Sequence, residues 1–165
     1  MRIIPDPKPS ANGKRPPVPK ARRQSDYTRV FAEFGVGFGK RSGAEVVADE
    51  CPWCGGGRCY VNADKGLYHC KQCQESGSVT DYLTWVHGEY LKVTTDAHYR
   101  ELKAARGIPL QVLKRHELAY DSGLKRWLIP FKNPKGNVVN IQSYYPHSKA
   151  KPDKFNVPGL PLCLY

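Results

Sequence analysis

The 165-residue chain has no apolar run near the ~18 residues that a membrane-spanning helix requires, and this argues against a helical membrane protein. Its first residues, MRIIPDPKPS, lack an apolar core followed by a small-residue cleavage site. No secretory signal is therefore expected, and the cytoplasm is the expected compartment. Acidic residues are scarce: 15 Asp and Glu face 26 Lys and Arg, for a formal net charge of +11. Such a balance favours anionic partners over cationic ones. No Asp-x-Asp pair occurs anywhere, and no catalytic dyad or triad is visible. His87, His98, His116 and His147 are scattered and read as surface or core histidines. With 14 Pro, 15 Gly and 40% hydrophobic residues, the core must be small. The length suits one medium domain or two small ones.

The positive charge is uneven. Residues 1–23 hold seven cations (Arg2, Lys8, Lys14, Arg15, Lys20, Arg22 and Arg23) against the single anion Asp6, together with six prolines. A segment of this composition cannot bury enough surface to offset its ordering entropy, so residues 1–24 are expected to be disordered. Two readings of this tail stand: a solvated leader, or a sequence-blind tether to phosphates. A membrane-surface role has no amphipathic helix to support it.

Beyond the tail, Tyr27, Val30, Phe31 and Phe34 recur at helical spacing, which predicts a helix over 26–34 with Ser25 as N-cap. Gly35-Val36-Gly37-Phe38-Gly39-Lys40 lacks the frame of a phosphate-binding loop and reads as a flexible connector. Residues 44–48 suggest a strand. Ser78 and Asp81 form a capping-box pattern, with Asp in place of the usual Glu, ahead of a helix bearing Val79, Tyr82, Leu83 and Val86, expected to stop at Gly88. Further helices are expected over 96–106, stopped by Gly107, and over 109–117, with Pro109 at the first helical position. Strands follow at 127–131 and 138–145, joined by the turn Asn133-Pro134-Lys135-Gly136-Asn137.

The six cysteines carry the strongest signal. Cys51-Pro52-Trp53-Cys54 and Cys70-Lys71-Gln72-Cys73 are separated by 15 residues, a C-x2-C-x15-C-x2-C pattern. This spacing points to Zn²⁺, because each knuckle presents two sulfurs to one tetrahedral ion at ~2.3 Å. Gly55 and Gly77, just past the knuckles, are expected to serve tight turns. Four thiolates leave no open coordination position, so the site is expected to be structural. Arg58, Lys65 and Lys71 could offset part of its negative charge. Cys59 and Cys163 read as packed small side chains. His69 is a rival ligand beside Cys70, but only Cys70 completes the knuckle with Cys73.

The residues between the knuckles read as a hairpin, with strands 58–62 and 67–70 about the turn Ala63-Asp64-Lys65-Gly66. In a symmetrical register Tyr60 faces His69 and Arg58 faces Lys71. One face then holds Cys59, Val61, Tyr68 and Cys70. The other holds Arg58, Tyr60, Asn62, His69 and Lys71. That second face combines cations with aromatic rings, as single-stranded nucleic acid requires. An ordinary solvated face is the competing reading, and a one-residue slip would exchange the faces.

The stretch CPWCGGGRCYVNADKGLYHCKQCQESGSVTDYLTWV resembles the N-terminal zinc-binding domain of bacterial and phage DNA primases. The similarity runs through both knuckles, Lys65-Gly66-x-Tyr68-His69-Cys70, and Gly77-Ser78-Val79-x-Asp81-Tyr82-Leu83. Cys54 stands where the family often has His. A looser resemblance, to the start of the primase RNA polymerase domain, lies in Ala105-Arg106-Gly107-Ile108, in Arg126-Trp127-Leu128-Ile129-Pro130-Phe131 with Gly136-x-Val138, and in Lys154-Phe155-Asn156 with Pro158-Gly159-Leu160-Pro161-Leu162 and Tyr165.

The resemblance implies an α+β chain. A zinc ribbon, a small antiparallel sheet with a four-cysteine zinc site and flanking helices, would occupy 25–92. Residues 93–165 would begin an α+β RNA polymerase domain, cut before the TOPRIM fold. It also implies a bacterial or phage-infected cytoplasm, a single-stranded DNA template as partner, a replicative helicase, fused or separate, as a further one, and no membrane. On the knuckle spacing, the metal ligands would be Cys51, Cys54, Cys70 and Cys73; on the hairpin register, the DNA contacts would be Arg58, Tyr60, Lys65, His69 and Lys71. The catalytic carboxylates and their Mg²⁺ would lie downstream, leaving no catalytic residue in this chain. The alternative is a noncatalytic zinc-ribbon module that recruits nucleic acid or protein.

Overall fold

The computed structural model describes residues 26–39, 41, 43–147, 154–158 and 160. The expectations for the tail at 1–24, the Ser25 cap, Lys40, Gly159, Cys163 and the rest of 161–165 concern positions outside these. The fold is α+β, with two four-stranded antiparallel meanders. The first contains β1 (Glu45–Val47), β2 (Cys59–Asn62), β3 (Leu67–Cys70) and β4 (Ser76–Ser78), in that spatial order. The second contains β5 (Ala119–Asp121), β6 (Arg126–Lys132), β7 (Val138–Tyr144) and β8 (Lys154–Asn156), also in chain order. Helix α1 (Thr28–Glu33) precedes the first sheet. Helices α2 (Val79–Val93), α3 (Asp96–Arg106) and α4 (Leu110–Arg115) lie between the two sheets in sequence.

Helix α2 joins the two halves because its buried residues face both. Tyr82, Leu83 and Val86 share one core with Val61 and Tyr68 of the first sheet and with Ala119, Leu128, Val138 and Ile141 of the second. Burying a side chain of this size contributes roughly 1.5–3 kcal/mol, so the shared core stabilises both sheets at once. Polar bonds fix the helix further: Val138 donates its N–H to Thr84 Oγ1 at 2.9 Å, and Tyr120 donates to Thr94 Oγ1 at 2.8 Å. His87 is buried with its Nε2 2.8 Å from the Glu117 carbonyl, and burial lowers its pKa. A second core under α3 and α4 gathers Tyr99, Leu102, Leu113, Leu118, Trp127 and Tyr144.

Arg126 ties α1 to the second sheet. Its guanidinium is 1% exposed and donates from Nε to Asp121 Oδ2 at 2.9 Å and from Nη1 to Ser143 Oγ at 3.1 Å. It also pairs with the Glu33 carboxylate and donates to the Glu33 carbonyl at 3.2 Å. A buried cation is tolerated here because its donors meet acceptors on α1, β5 and β7.

Several elements match their sequence signals and others correct them. The Ser78–Asp81 capping box forms at the start of α2, and Gly107 ends α3 at φ 70°. Helix α1 spans Thr28–Glu33, within the expected 26–34, with Tyr27 at its N-cap and Asp26 Oδ1 accepting from the Thr28 hydroxyl at 2.6 Å and its N–H at 3.3 Å. Pro109 is the N-cap of α4 and not its first helical residue, and the helix ends at Arg115. Residues 35–39 make an ordered return, in which Phe38 bridges Ala48 and Asp49 donates to the Gly37 carbonyl at 2.9 Å. Helix α2 passes straight through Gly88, because the apolar stripe continues through Tyr90 and Leu91 and outweighs the ~1 kcal/mol cost of a helical glycine. A Cβ at Gly88 would meet nothing within 4 Å, and its φ is not left-handed. Gly88→Ala is therefore expected to raise stability by about 0.5–1 kcal/mol in chemical denaturation, with an unchanged denaturant slope.

Candidate metal centre and nucleic-acid interface

The two knuckles are built alike. Cys51 donates its N–H to the Gly56 carbonyl and Cys70 donates to Glu75, each at 2.8 Å. Gly55 donates back to the Cys51 carbonyl at 2.8 Å, and Gln74 donates to Cys70 at 2.9 Å. Closing each turn requires a left-handed residue: Gly55 at φ 70° in the first and Gln74 at φ 63° in the second. The tight-turn role expected of Gly77 thus falls to Gln74. Gly77 lies in β4 instead, where a Cβ would come 2.9 Å from Tyr68 Oη and 3.0 Å from Asp81 Oδ2.

The knuckles bring Cys51, Cys54, Cys70 and Cys73 together, with all four sulfurs within 4.8 Å of one another. Cys51 and Cys73 Sγ lie 3.9 Å apart, and Cys54 and Cys70 Sγ 3.8 Å apart. These separations are far longer than a disulfide. They match the ~3.8 Å edge of a tetrahedron with ~2.3 Å metal–sulfur bonds. The cluster fits a structural zinc site. Backbone N–H groups of Cys73 and Gln72 favour the Cys70 thiolate and lower its pKa to about 6, against the opposing effect of burial.

Cys59 lies on the same face of β2, opposite Cys70, and is 1% exposed. It falls outside the four-sulfur cluster, and burial pushes its thiol up to about 12, reinforced by the charge of Cys51 and Cys70. His69, the rival ligand, is exposed on the opposite face. Trp53, inside the first knuckle, stacks on Tyr68 at 4.5 Å and 20°. This binds the metal loop to the sheet through ring contact as well as through the backbone.

The hairpin adopts the symmetrical register, with Cys59 opposite Cys70, Tyr60 opposite His69 and Val61 opposite Tyr68. Lys71 donates its N–H to the Arg58 carbonyl at 3.0 Å, which extends the pairing to the strand ends. Cys59, Val61, Tyr68 and Cys70 are buried; Tyr60 and Asn62 are half-buried, and Arg58, His69 and Lys71 are exposed. Asn62 Oδ1 accepts the Lys65 N–H at 2.9 Å and that of Asp64 at 3.2 Å, and Gly66 closes the turn at φ 68°.

The open face holds a groove of about 490 Å³ in which Tyr60, Lys65 and His69 come together. Lys71 joins them indirectly, with its ammonium 4.6 Å from the centroid of the Tyr60 ring. Arg58 stands exposed outside the groove lining. Strand pairing adds residues that the sequence reading missed: Glu45 from β1, Leu67 from β3, and Ser76 and Gly77 from β4. Leu67 and Glu45 lay in expected strands, 67–70 and 44–48. Strand β4, Ser76-Gly77-Ser78, carries no apolar alternation that could announce it.

Among the described residues, no helix is long and apolar enough to cross a membrane. No family model matches the chain, and no curated protein matches it. A search of solved structures finds likeness to the crystal structure of the Aquifex aeolicus primase, zinc-binding and RNA polymerase domains, at 16% identity and a TM-score of 0.31. The likeness covers 83% of this chain and 52% of that one, so the chain spans about half the length of the structure it matches. At that TM-score it decides nothing about this chain.

Cys→Ser at 51, 54, 70 or 73 is expected to abolish stoichiometric zinc and to unfold the first sheet, because a small zinc fold depends on the metal for stability. Cys59→Ser is expected to keep one zinc per chain. Metal content by mass spectrometry and far-UV circular dichroism check both; zinc lost on Cys59→Ser would show a different ligand set.

Proposed function

We propose that the chain is the zinc-binding, template-recognising N-terminal portion of a DNA primase, with residues 25–92 as the DNA-binding unit and 93–165 as the start of the RNA polymerase domain. The reading rests on the primase-like run from Cys51 to Val86. The single observation that carries it is the groove of Tyr60, Lys65 and His69 on the open sheet face, backed by Lys71. In this reading Zn²⁺ serves as a structural cross-link that holds both knuckles. The chain's own residues do the recognition: the Tyr60 ring offers a stacking surface, Lys65, Lys71 and Arg58 meet phosphates, and His69 reaches a base edge. Primer synthesis belongs to carboxylates and Mg²⁺ outside this chain, and a replicative helicase, fused or separate, is the further partner. The cytoplasm of a bacterium or of a phage-infected host is the compartment that this reading entails.

A second reading, a noncatalytic recruitment module, is favoured by Leu67 and Val47, apolar side chains 50% and 42% exposed on the first sheet. Such side chains suit a protein partner as well as a base.

Titration of single-stranded DNA at two salt concentrations separates the two readings. Tyr60→Ala is expected to cost roughly 1–3 kcal/mol of binding if a base stacks there. Arg58→Ala with Lys71→Ala should weaken binding while zinc and fold persist, and the salt slope should fall by about 0.7 per lost phosphate contact. Neutralising the tail should flatten the slope and leave sequence preference intact. Face variants that bind like the parent, with all binding lost on tail removal, would favour the recruitment reading. With ribonucleotides, Mg²⁺ and template, purified 1–165 is expected to make no primer; primer synthesis would place a polymerase centre within the chain.

A further inference from the structure

A second cavity, of about 560 Å³, lies beside the first knuckle and takes no part in the proposed groove. Its walls include Phe34, Trp53, Tyr82 and Trp85, and its charged lining is Asp49 and Glu50. The rings form a connected set: Trp53 and Trp85 centroids are 5.1 Å apart at 45°, Trp53 and Tyr82 6.1 Å at 77°, and Phe34 and Tyr82 6.4 Å. Trp53 and Trp85 are only half-buried, so ring surface remains available. Asp49 and Glu50 are exposed, and no described side chain donates a hydrogen bond to either carboxylate. On a chain of net charge +11, this cavity has no cation in its lining among the described residues. Aromatic faces with adjoining carboxylates select a cationic side chain, through ring quadrupole and charge together. A phosphodiester strand would be repelled by the same carboxylates.

We propose that the cavity lined by Phe34, Trp53, Tyr82, Trp85, Asp49 and Glu50 docks an arginine or lysine of this chain's own segment 1–25. Charge complementarity and reach identify the occupant. The segment carries seven cations against one anion and joins the fold at Asp26, at the head of α1. Helix α1 leads from there to Phe34 at the cavity, about 12 Å away at ~1.5 Å per residue. Four residues can span at most about 13 Å at ~3.3 Å each, which is long enough to bring Arg22 or Arg23 to the rings. Covalent attachment also gives these cations a high effective concentration at the site. The inference does not depend on the primase reading.

The test uses the full, zinc-loaded chain with ¹⁵N-labelled tryptophan and compares the parent with R2Q/K8Q/K14Q/R15Q/K20Q/R22Q/R23Q. The indole N–H resonances of Trp53 and Trp85 are expected to move, while that of Trp127, buried in the second core, stays as an internal reference. D49N/E50Q in the otherwise unaltered chain should move the same two signals in the same direction, and raised salt should shift the parent toward both variants. A far-UV circular dichroism spectrum that matches the parent's, together with the unmoved Trp127 signal, excludes misfolding as the source of the shift. Trp53 and Trp85 signals that coincide in the parent and the seven-fold variant would overturn the proposal. So would a D49N/E50Q chain whose signals stay at the parent's positions.

Discussion

Four cysteine sulfurs on two Cys-x-x-Cys loops come within 4.8 Å of one another, and the first half of the fold follows from that constraint. Each knuckle closes through the same pair of backbone hydrogen bonds, one from the first cysteine's N–H and one back to its carbonyl. Each therefore needs one left-handed residue after its second cysteine. With both knuckles closed, β2 and β3 leave them at fixed positions and pair in the symmetrical register. That register decides which side chains face the core and which face solvent. A shift of one residue would bury Tyr60 and His69 and expel Val61 and Tyr68. Metal geometry and hydrophobic burial thus select the same register, and this agreement leaves the cationic and aromatic side chains on one open face.

The second half depends on the first through a helix and one buried cation. Helix α2 starts at a capping box on the end of β4, and its apolar side chains complete the cores of both sheets. Arg126 then anchors the end of α1 to β5 and β7. Removing either partner would leave a buried charge without compensation, a cost of several kcal/mol. The first sheet is consequently not a free-standing ribbon but is packed against the rest of the chain.

The four-cysteine cluster was legible in the sequence, because thiolate coordination tolerates few spacings and C-x2-C-x15-C-x2-C is one of them. The hairpin was legible because its turn residues and its alternation agreed. Three strands escaped notice for distinct physical reasons. Strand β4 is Ser-Gly-Ser and offers no apolar alternation. Strands β5 and β8 have three residues each, too few to show a period. Gly88 misled because a local propensity cost was overridden by tertiary burial of the residues after it. Gly77 misled because a glycine can answer a close approach as well as a left-handed turn, and only the packing of Tyr68 and Asp81 distinguishes the two. The groove was half legible: Tyr60, Lys65 and His69 lie on one hairpin, whereas Glu45, Ser76 and Gly77 reach it through sheet pairing that no local pattern announces. The aromatic cavity was not legible, since Phe34, Trp53 and Trp85 come from three separate elements.

In the proposed reading, the metal fixes the face that reads nucleic acid. The most direct test of that claim is the sequence preference of single-stranded DNA binding by one sample, measured zinc-loaded, after chelation and after zinc is restored. The expected result is that chelation removes the preference and leaves only weak, salt-sensitive binding, and that restored zinc brings the preference back. A chelated chain that keeps both its affinity and its preference would contradict the account.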